Sequence, residues 1–270
     1  MRSNREHSWL WLAVCRLIFF GVWVLGLPGL SMPGCSRIEP ADAGKNGECV
    51  ILLHGLGRGP SSMADLASHL VKEGYFVVNK GYPSTQYSAE QIAEAYIPRM
   101  LRQCRKHGHK KIHFVTHSMG GIVVRQYLQT HQLPEGSRVV MISPPNQGSE
   151  LVDAFGEWFF FDWLYGPAGK TLGTDPESLP NRLDPVDAEI GVIAGSRSFN
   201  PLYSWMIRGE DDGTVAVQKA KLAEMKDFLV LPHTHTFIAE SRDVCRQVVA
   251  FLETGRFMPN RSASEKGDPS

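Results

Sequence analysis

From residue 49 onward, short apolar runs rich in β-branched residues alternate with longer amphipathic stretches, and this alternation predicts the elements. Strands are expected at Cys49–Leu53, Phe76–Lys80, Lys111–Thr116, Val139–Ser143, Ile190–Ala194 and Phe228–Leu231. Each run is nearly continuous in apolar character, as strands covered on both faces require. Helical patterns fill the gaps: Met63–Glu73 with Ser61 and Ser62 as caps, and Ser88 to about His107 opened by a Ser88/Gln91 capping box. Further helices are expected from Gly120 to about His131, at Thr214–Met225 and at Ser241–Thr254. Strands alternating with helices in this way imply an α/β domain around a mostly parallel sheet, spanning residues 49–258.

Other stretches fall outside the alternation. Residues 149–187 are too long for a simple connection and read either as a helical crossover burying ordinary aromatics or as a cap insertion, with Trp158, Phe159, Phe160, Phe161 and Trp163 as an apolar wall or lid. The chain begins with Arg2 and Arg5 ahead of an apolar run at residues 9–30, interrupted by Arg16. About 20 apolar residues suffice to span a bilayer, so residues 1–35 read as a membrane anchor, with a removable signal peptide as the alternative. Either reading exports the remainder of the chain, because arginines near the start stay cytoplasmic. Residues 36–48 form a polar linker, and residues 259–270 a polar tail expected to be disordered.

Charge narrows the function classes. The 270 residues carry 28 Lys plus Arg and 28 Asp plus Glu, and show no basic stripe, so a nucleic-acid partner is not expected. Cys15, Cys35, Cys49, Cys104 and Cys245 include no CxxC pair and no zinc spacing, and their spacing assigns no disulfide. Histidine pairs such as His107/His109 and His233/His235 lack an H-E-x-x-H frame, so neither a metal nor a cofactor is expected.

The chemistry-bearing candidates sit at strand ends. FVTHSMGG, residues 114–121, places Ser118 where a strand gives way to a helix, the context of a nucleophile elbow. Gly120 supplies the small residue needed after the serine, while Thr116 stands where a glycine is usual before it. A nucleophilic serine needs a base, an orienting acid and donors for an oxyanion. Of ten histidines, His235 in VLPHTHTFI lies deepest in the loop after the last strand, and His233 remains the alternative base. In GEDDGTV, Asp212 directly before the glycine is the preferred acid, with Asp211 as the alternative. HGLG, residues 54–57, ends the first strand in a glycine-rich turn, and the amides of Leu56 and Met119 are the expected oxyanion donors.

Together HGLG, THSMGG, PPNQGSE, DGTV and the terminal HTF resemble the bacterial lipase and esterase group of the α/β-hydrolase superfamily, over about Cys49 to Phe257. The resemblance implies a three-layer α/β-hydrolase fold and hydrolysis of carboxylic esters by Ser118, Asp212 and His235, with lipid esters among the candidate substrates. It also implies that residues 143–149 line the cleft. Some lipases of this group bind calcium near the acid, but no second ligand set is evident here and none is expected. The family fold would place Cys104 and Cys245 on opposite faces of the sheet, against their pairing. An acyltransferase using the same triad, or a non-catalytic binding protein of this fold, are the alternatives.

Overall fold

A computed structural model describes residues 47–155 and 166–259. The apolar run at 9–30, the aromatic cluster at 158–163 and most of the tail therefore lie outside the described residues. Among the described residues no helix is long and apolar enough to cross a membrane.

Six strands form one sheet: β1 (Glu48–Leu53), β2 (Phe76–Asn79), β3 (Lys111–His117), β4 (Arg138–Ile142), β5 (Glu189–Gly195) and β6 (Asp227–Leu231). Their order is β2-β1-β3-β4-β5-β6, and every neighbouring pair is parallel. Because the chain runs outward from β1 to β2 and then returns to the other side of β1, the winding reverses between β1 and β3. In an open parallel sheet, the crevice beyond the carboxyl ends of two such strands is where ligands bind.

Alternation along β1 builds two cores. Cys49, Ile51 and Leu53 face one layer with Ile92 and Ile97 of α2 (Ala89–Lys106) and Ile122 of α3 (Met119–Leu128). Val50 and Leu52 face the other, with Leu66 and Leu70 of α1 (Ala64–Lys72) and Val244, Val248 and Phe251 of the C-terminal helix, Arg242–Thr254. Every one of these side chains is fully buried. Burying a side chain of this size contributes roughly 1.5–3 kcal/mol, so the layers rather than helix propensity hold the domain together.

Local signals explain several boundaries. Ser88 caps α2 as a capping box: its Oγ accepts the Gln91 N–H at 3.3 Å, and its own N–H donates to the Gln91 Oε1 at 3.0 Å. The C-terminal helix stops at Gly255, whose φ of 73° closes the last turn onto the Phe251 carbonyl. Ser61 and Ser62 do not cap α1 as expected. They lie inside a 3₁₀ turn, Pro60–Met63, that leads into the helix, and the Ser62 hydroxyl donates to the Gly59 carbonyl.

A larger correction concerns Thr214–Met225, which is not a helix; its only regular turn is a 3₁₀ segment at Gln218–Ala220. The loop after β4 takes up the backbone acceptors a helix would have used. Ser149 Oγ donates to the Thr214 carbonyl at 2.6 Å, Asn146 Nδ2 to that of Ala220 at 2.8 Å, and the Gln147 N–H to that of Lys219 at 2.9 Å.

Cys49 and Cys104 form a disulfide that spacing alone did not assign, joining the start of β1 to the end of α2 across 55 residues. Cys245 is buried and unpaired, in the opposite core from Cys104. Closing a loop of that length restricts the unfolded chain by about 4 kcal/mol in the chain-entropy model. The double variant Cys49→Ala/Cys104→Ala should accordingly lose about 2–5 kcal/mol in urea unfolding. Equal midpoints for oxidised and reduced wild-type protein would show that the cross-link contributes nothing.

Candidate active site

The site forms at the winding reversal. β3 ends at His117, Ser118 follows with φ 54° and ψ −126°, and Met119 already opens α3. A non-glycine residue at positive φ stores strain of about 1–3 kcal/mol, which persists only when its surroundings fix it. Here the Ser118 N–H donates to the Ile142 carbonyl at 2.9 Å, and its own carbonyl accepts the Gly121 N–H at 2.9 Å.

The glycines of the elbow are explained by close approach. A Cβ on Gly120 would lie 2.6 Å from the Leu53 carbonyl oxygen, so α3 can pass the end of β1 only with glycine there. A Cβ on Gly121 would lie 3.5 Å from the Thr116 Oγ1. The tighter approach at 121 is to the Pro144 Cβ, at 3.0 Å, and Thr116, where a glycine is usual, is fully buried.

The structure brings Ser118, His235 and Asp212 together in series. His235 Nε2 lies 2.9 Å from the Ser118 Oγ, and His235 Nδ1 lies 2.8 Å from the Asp212 Oδ2. Asp212 is buried in a tight turn, and its Oδ1 accepts the Thr214 and Val215 N–H groups at 3.0 and 2.8 Å. Burial raises the proton affinity of this carboxyl, but the charge and hydrogen bond of His235 and the Val215 N–H outweigh it, holding Asp212 below the usual carboxylate range. A carboxylate so held fixes Nδ1 as the protonated nitrogen and leaves Nε2 free to accept the serine proton.

The alternative residues point elsewhere. Asp211 accepts from the Ser204 hydroxyl at 3.1 Å and the Gly213 N–H at 2.7 Å, stabilising the turn from outside. His233 Nε2 faces both Asp243 oxygens at 2.9 Å and the Ser241 hydroxyl at 3.2 Å, at the start of the C-terminal helix.

The turn after β1 stands beside the serine. A Cβ on Gly55 would lie 3.1 Å from the Ser118 Cβ, so the HGLG turn passes directly over the elbow, with Leu56 half-buried and Met119 fully buried at the start of α3. Two residues not singled out in the sequence hold that turn. Tyr82 stacks on His54 at 4.0 Å between ring centroids and donates its hydroxyl to the His54 carbonyl, and Ser84 Oγ accepts the Gly57 N–H at 3.0 Å. Their one sequence signal is GYPST, a Gly/Pro turn at the carboxyl end of β2. The 143–149 stretch braces the acid loop through Ser149 and Asn146. In turn, the buried Arg125 of α3 donates to the Asn146 carbonyl at 3.0 Å. Among the described residues, no group of three or more His, Cys, Asp or Glu side chains is arranged to hold a metal ion.

The buried histidines His54 and His117 flank the site. Burial, followed by the nearby His235, pushes His117 down to about 3, and burial also lowers His54. For a histidine whose folded value lies below its unfolded value of 6.5, the unfolded chain binds the extra proton, so stability is full above pH 6.5 and falls as pH drops towards 3. His117 alone should cost about 2 kcal/mol between pH 7 and pH 5, a window in which the carboxylates stay ionised. Urea unfolding at the two pH values checks this; a His117→Gln variant with the same acid loss as wild type would assign the effect elsewhere.

Comparison with known proteins agrees with this geometry. The family profile described as alpha/beta hydrolase fold matches residues 48–181. No curated protein sequence matches the chain. Among solved structures, the mature lipase BlEst2 of Bacillus licheniformis is similar at TM-score 0.64 and 22% identity, covering 85% of this chain and 99% of that one. Phospholipase PlaB of Legionella pneumophila is similar at TM-score 0.58 and 17% identity, over 77% of this chain and 59% of that one. The metagenomic carboxyl esterase MGS0156 is similar at TM-score 0.54 and 18% identity, over 79% and 71%. With its parallel sheet order, its positive-φ serine between β3 and α3 and this family match, the chain has the α/β-hydrolase fold.

Proposed function

We propose that the protein is a serine hydrolase of carboxylic esters. The observation that carries this reading is the series Ser118–His235–Asp212, hydrogen-bonded at 2.9 and 2.8 Å on a strained turn at the carboxyl edge of the sheet. His235 would take the Ser118 proton as the hydroxyl attacks the ester carbonyl. It would then return that proton to the leaving alcohol and activate water against the acyl-enzyme. Asp212 would orient the imidazole and stabilise its charged form, while the amides of Leu56 and Met119 would receive the oxyanion. An intact proton relay favours catalysis over a binding role for the fold.

Lipid-like esters are the substrate class we favour. Phe199, Leu202 and Trp205 are exposed on the segment leaving β5, and Ser198 of that segment packs against Gly213 beside the acid. Structural relatives described as a lipase, a phospholipase and a carboxyl esterase are consistent with ester chemistry. Export is part of the proposal: it is supported by the apolar run behind Arg2 and Arg5 and by the Cys49–Cys104 disulfide, which suits an oxidising compartment. Hydrolysis of p-nitrophenyl esters from acetate to palmitate, lost on treatment with a fluorophosphonate, tests the reading. A folded protein that cleaves none of them and takes up no probe would overturn it.

A further inference from the structure

His117 takes no part in the proton relay, yet its buried ring touches the loops from which the relay is built. Its backbone is the last residue of β3, so it leads directly into the strained Ser118. On one side a Cβ on Gly55 would lie 3.2 Å from its Nδ1, which puts the ring against the turn expected to bind the oxyanion. On the other side its Nε2 lies 2.9 Å from the carbonyl oxygen of His235, and the two imidazoles stand 5.0 Å apart between ring centroids.

That contact fixes the state of the ring. A carbonyl oxygen only accepts, so Nε2 carries the proton and donates it, while Nδ1 is a bare lone pair, buried and without a hydrogen-bond partner. A buried polar atom left unmatched is uncommon, and space alone would be filled as well by an apolar ring. The donor end is what an apolar ring could not replace.

The His235 peptide is therefore held at both ends by residues next to its chemical partners. Its N–H donates to the carbonyl of Asp212 at 2.9 Å, and its carbonyl accepts from the residue preceding Ser118. We infer that His117 is a positioning residue: its Nε2–H pins the backbone of His235 so that the imidazole keeps its hydrogen bonds to Ser118 and Asp212 at the same time. This rests on the ester-hydrolase reading, in which His235 is the base.

Three substitutions separate the donor from the shape. His117→Phe keeps a planar ring without the N–H, His117→Gln carries an amide N–H near the position of the imidazole Nε2, and His117→Asn is polar but too short to reach. His117→Phe and His117→Asn should lower kcat on a soluble ester by about 10- to 100-fold, the scale of a small misplacement of a reacting group, with KM within about twofold. His117→Gln should recover most of that loss. Fluorophosphonate labelling should slow in parallel. A purely packing role would alter stability without separating the Gln variant from the Asn variant in kcat.

The inference is overturned if folded His117→Phe keeps kcat within twofold, or if His117→Gln is as impaired as His117→Asn. Should His117→Phe fail to fold, the Gln and Asn variants still decide. Full activity in Ser118→Ala would instead overturn the underlying reading, whereas an inactive Ser118→Ala beside a wild-type-like His117→Phe would overturn this inference alone.

Discussion

Ser118→Ala is expected to abolish fluorophosphonate labelling and to lower ester turnover by on the order of 10⁵-fold or more, leaving only what binding and oxyanion stabilisation supply. The size follows from the mechanism: without Oγ no acyl-enzyme forms, and His235 and Asp212 have nothing to activate. Backbone geometry supplies a control against the objection of unfolding. Alanine keeps the Cβ that is strained at φ 54°, whereas Ser118→Gly removes it. The glycine variant should be more stable than the alanine variant by about 1 kcal/mol while equally inactive. Both effects are read from one preparation of each protein, by active-site labelling and urea unfolding. Persistent labelling in a folded Ser118→Ala protein would move the nucleophile elsewhere.

The elements that proved legible in the sequence were those set by local rules. Strands buried on both faces have no polar alternation to hide them, so Cys49–Leu53 and Val139–Ser143 read directly from β-branched runs and match β1 and β4 within a residue or two. The Ser88/Gln91 box is wholly local and is present as expected. What stayed hidden depends on partners distant in sequence. Thr214–Met225 carries a plausible helical pattern, but its backbone is satisfied by Asn146, Gln147 and Ser149 from another loop, and no window of residues 214–225 contains that information. Cys49 and Cys104 meet because β1 and α2 share a core, a consequence of strand order. In the candidate site, residues 118 and 235 were expected from the turns that follow strands, and residue 212 from its local Asp-Gly turn. Tyr82 and Ser84 act on the backbone of the HGLG turn and His117 on that of His235, through contacts their own sequence neighbourhoods do not show.

Asp212→Asn should be the second most damaging change, lowering kcat by about 10⁴-fold with little effect on the fold, the magnitude expected when a relay loses its orienting carboxylate. With an amide in place of the carboxylate, the side-chain carbonyl oxygen could still accept the Thr214 and Val215 N–H groups that now reach Oδ1, so the turn survives. The other end of the side chain would change character. Where Oδ2 now accepts from His235 Nδ1, an amide NH₂ would donate, turning Nδ1 into the acceptor and leaving the proton on Nε2, facing Ser118. That tautomer cannot take the serine proton, so both kcat and the rate of fluorophosphonate labelling should fall together. Asp211→Asn makes the contrast, because Asp211 bonds Ser204 and Gly213 and does not reach His235. It should lose some stability and keep turnover within a few-fold, since its contacts lie on the outside of the same turn. Steady-state kinetics on the two variants therefore separates orientation from turn stability, and a greater loss of kcat in Asp211→Asn than in Asp212→Asn would transfer the orienting role to Asp211.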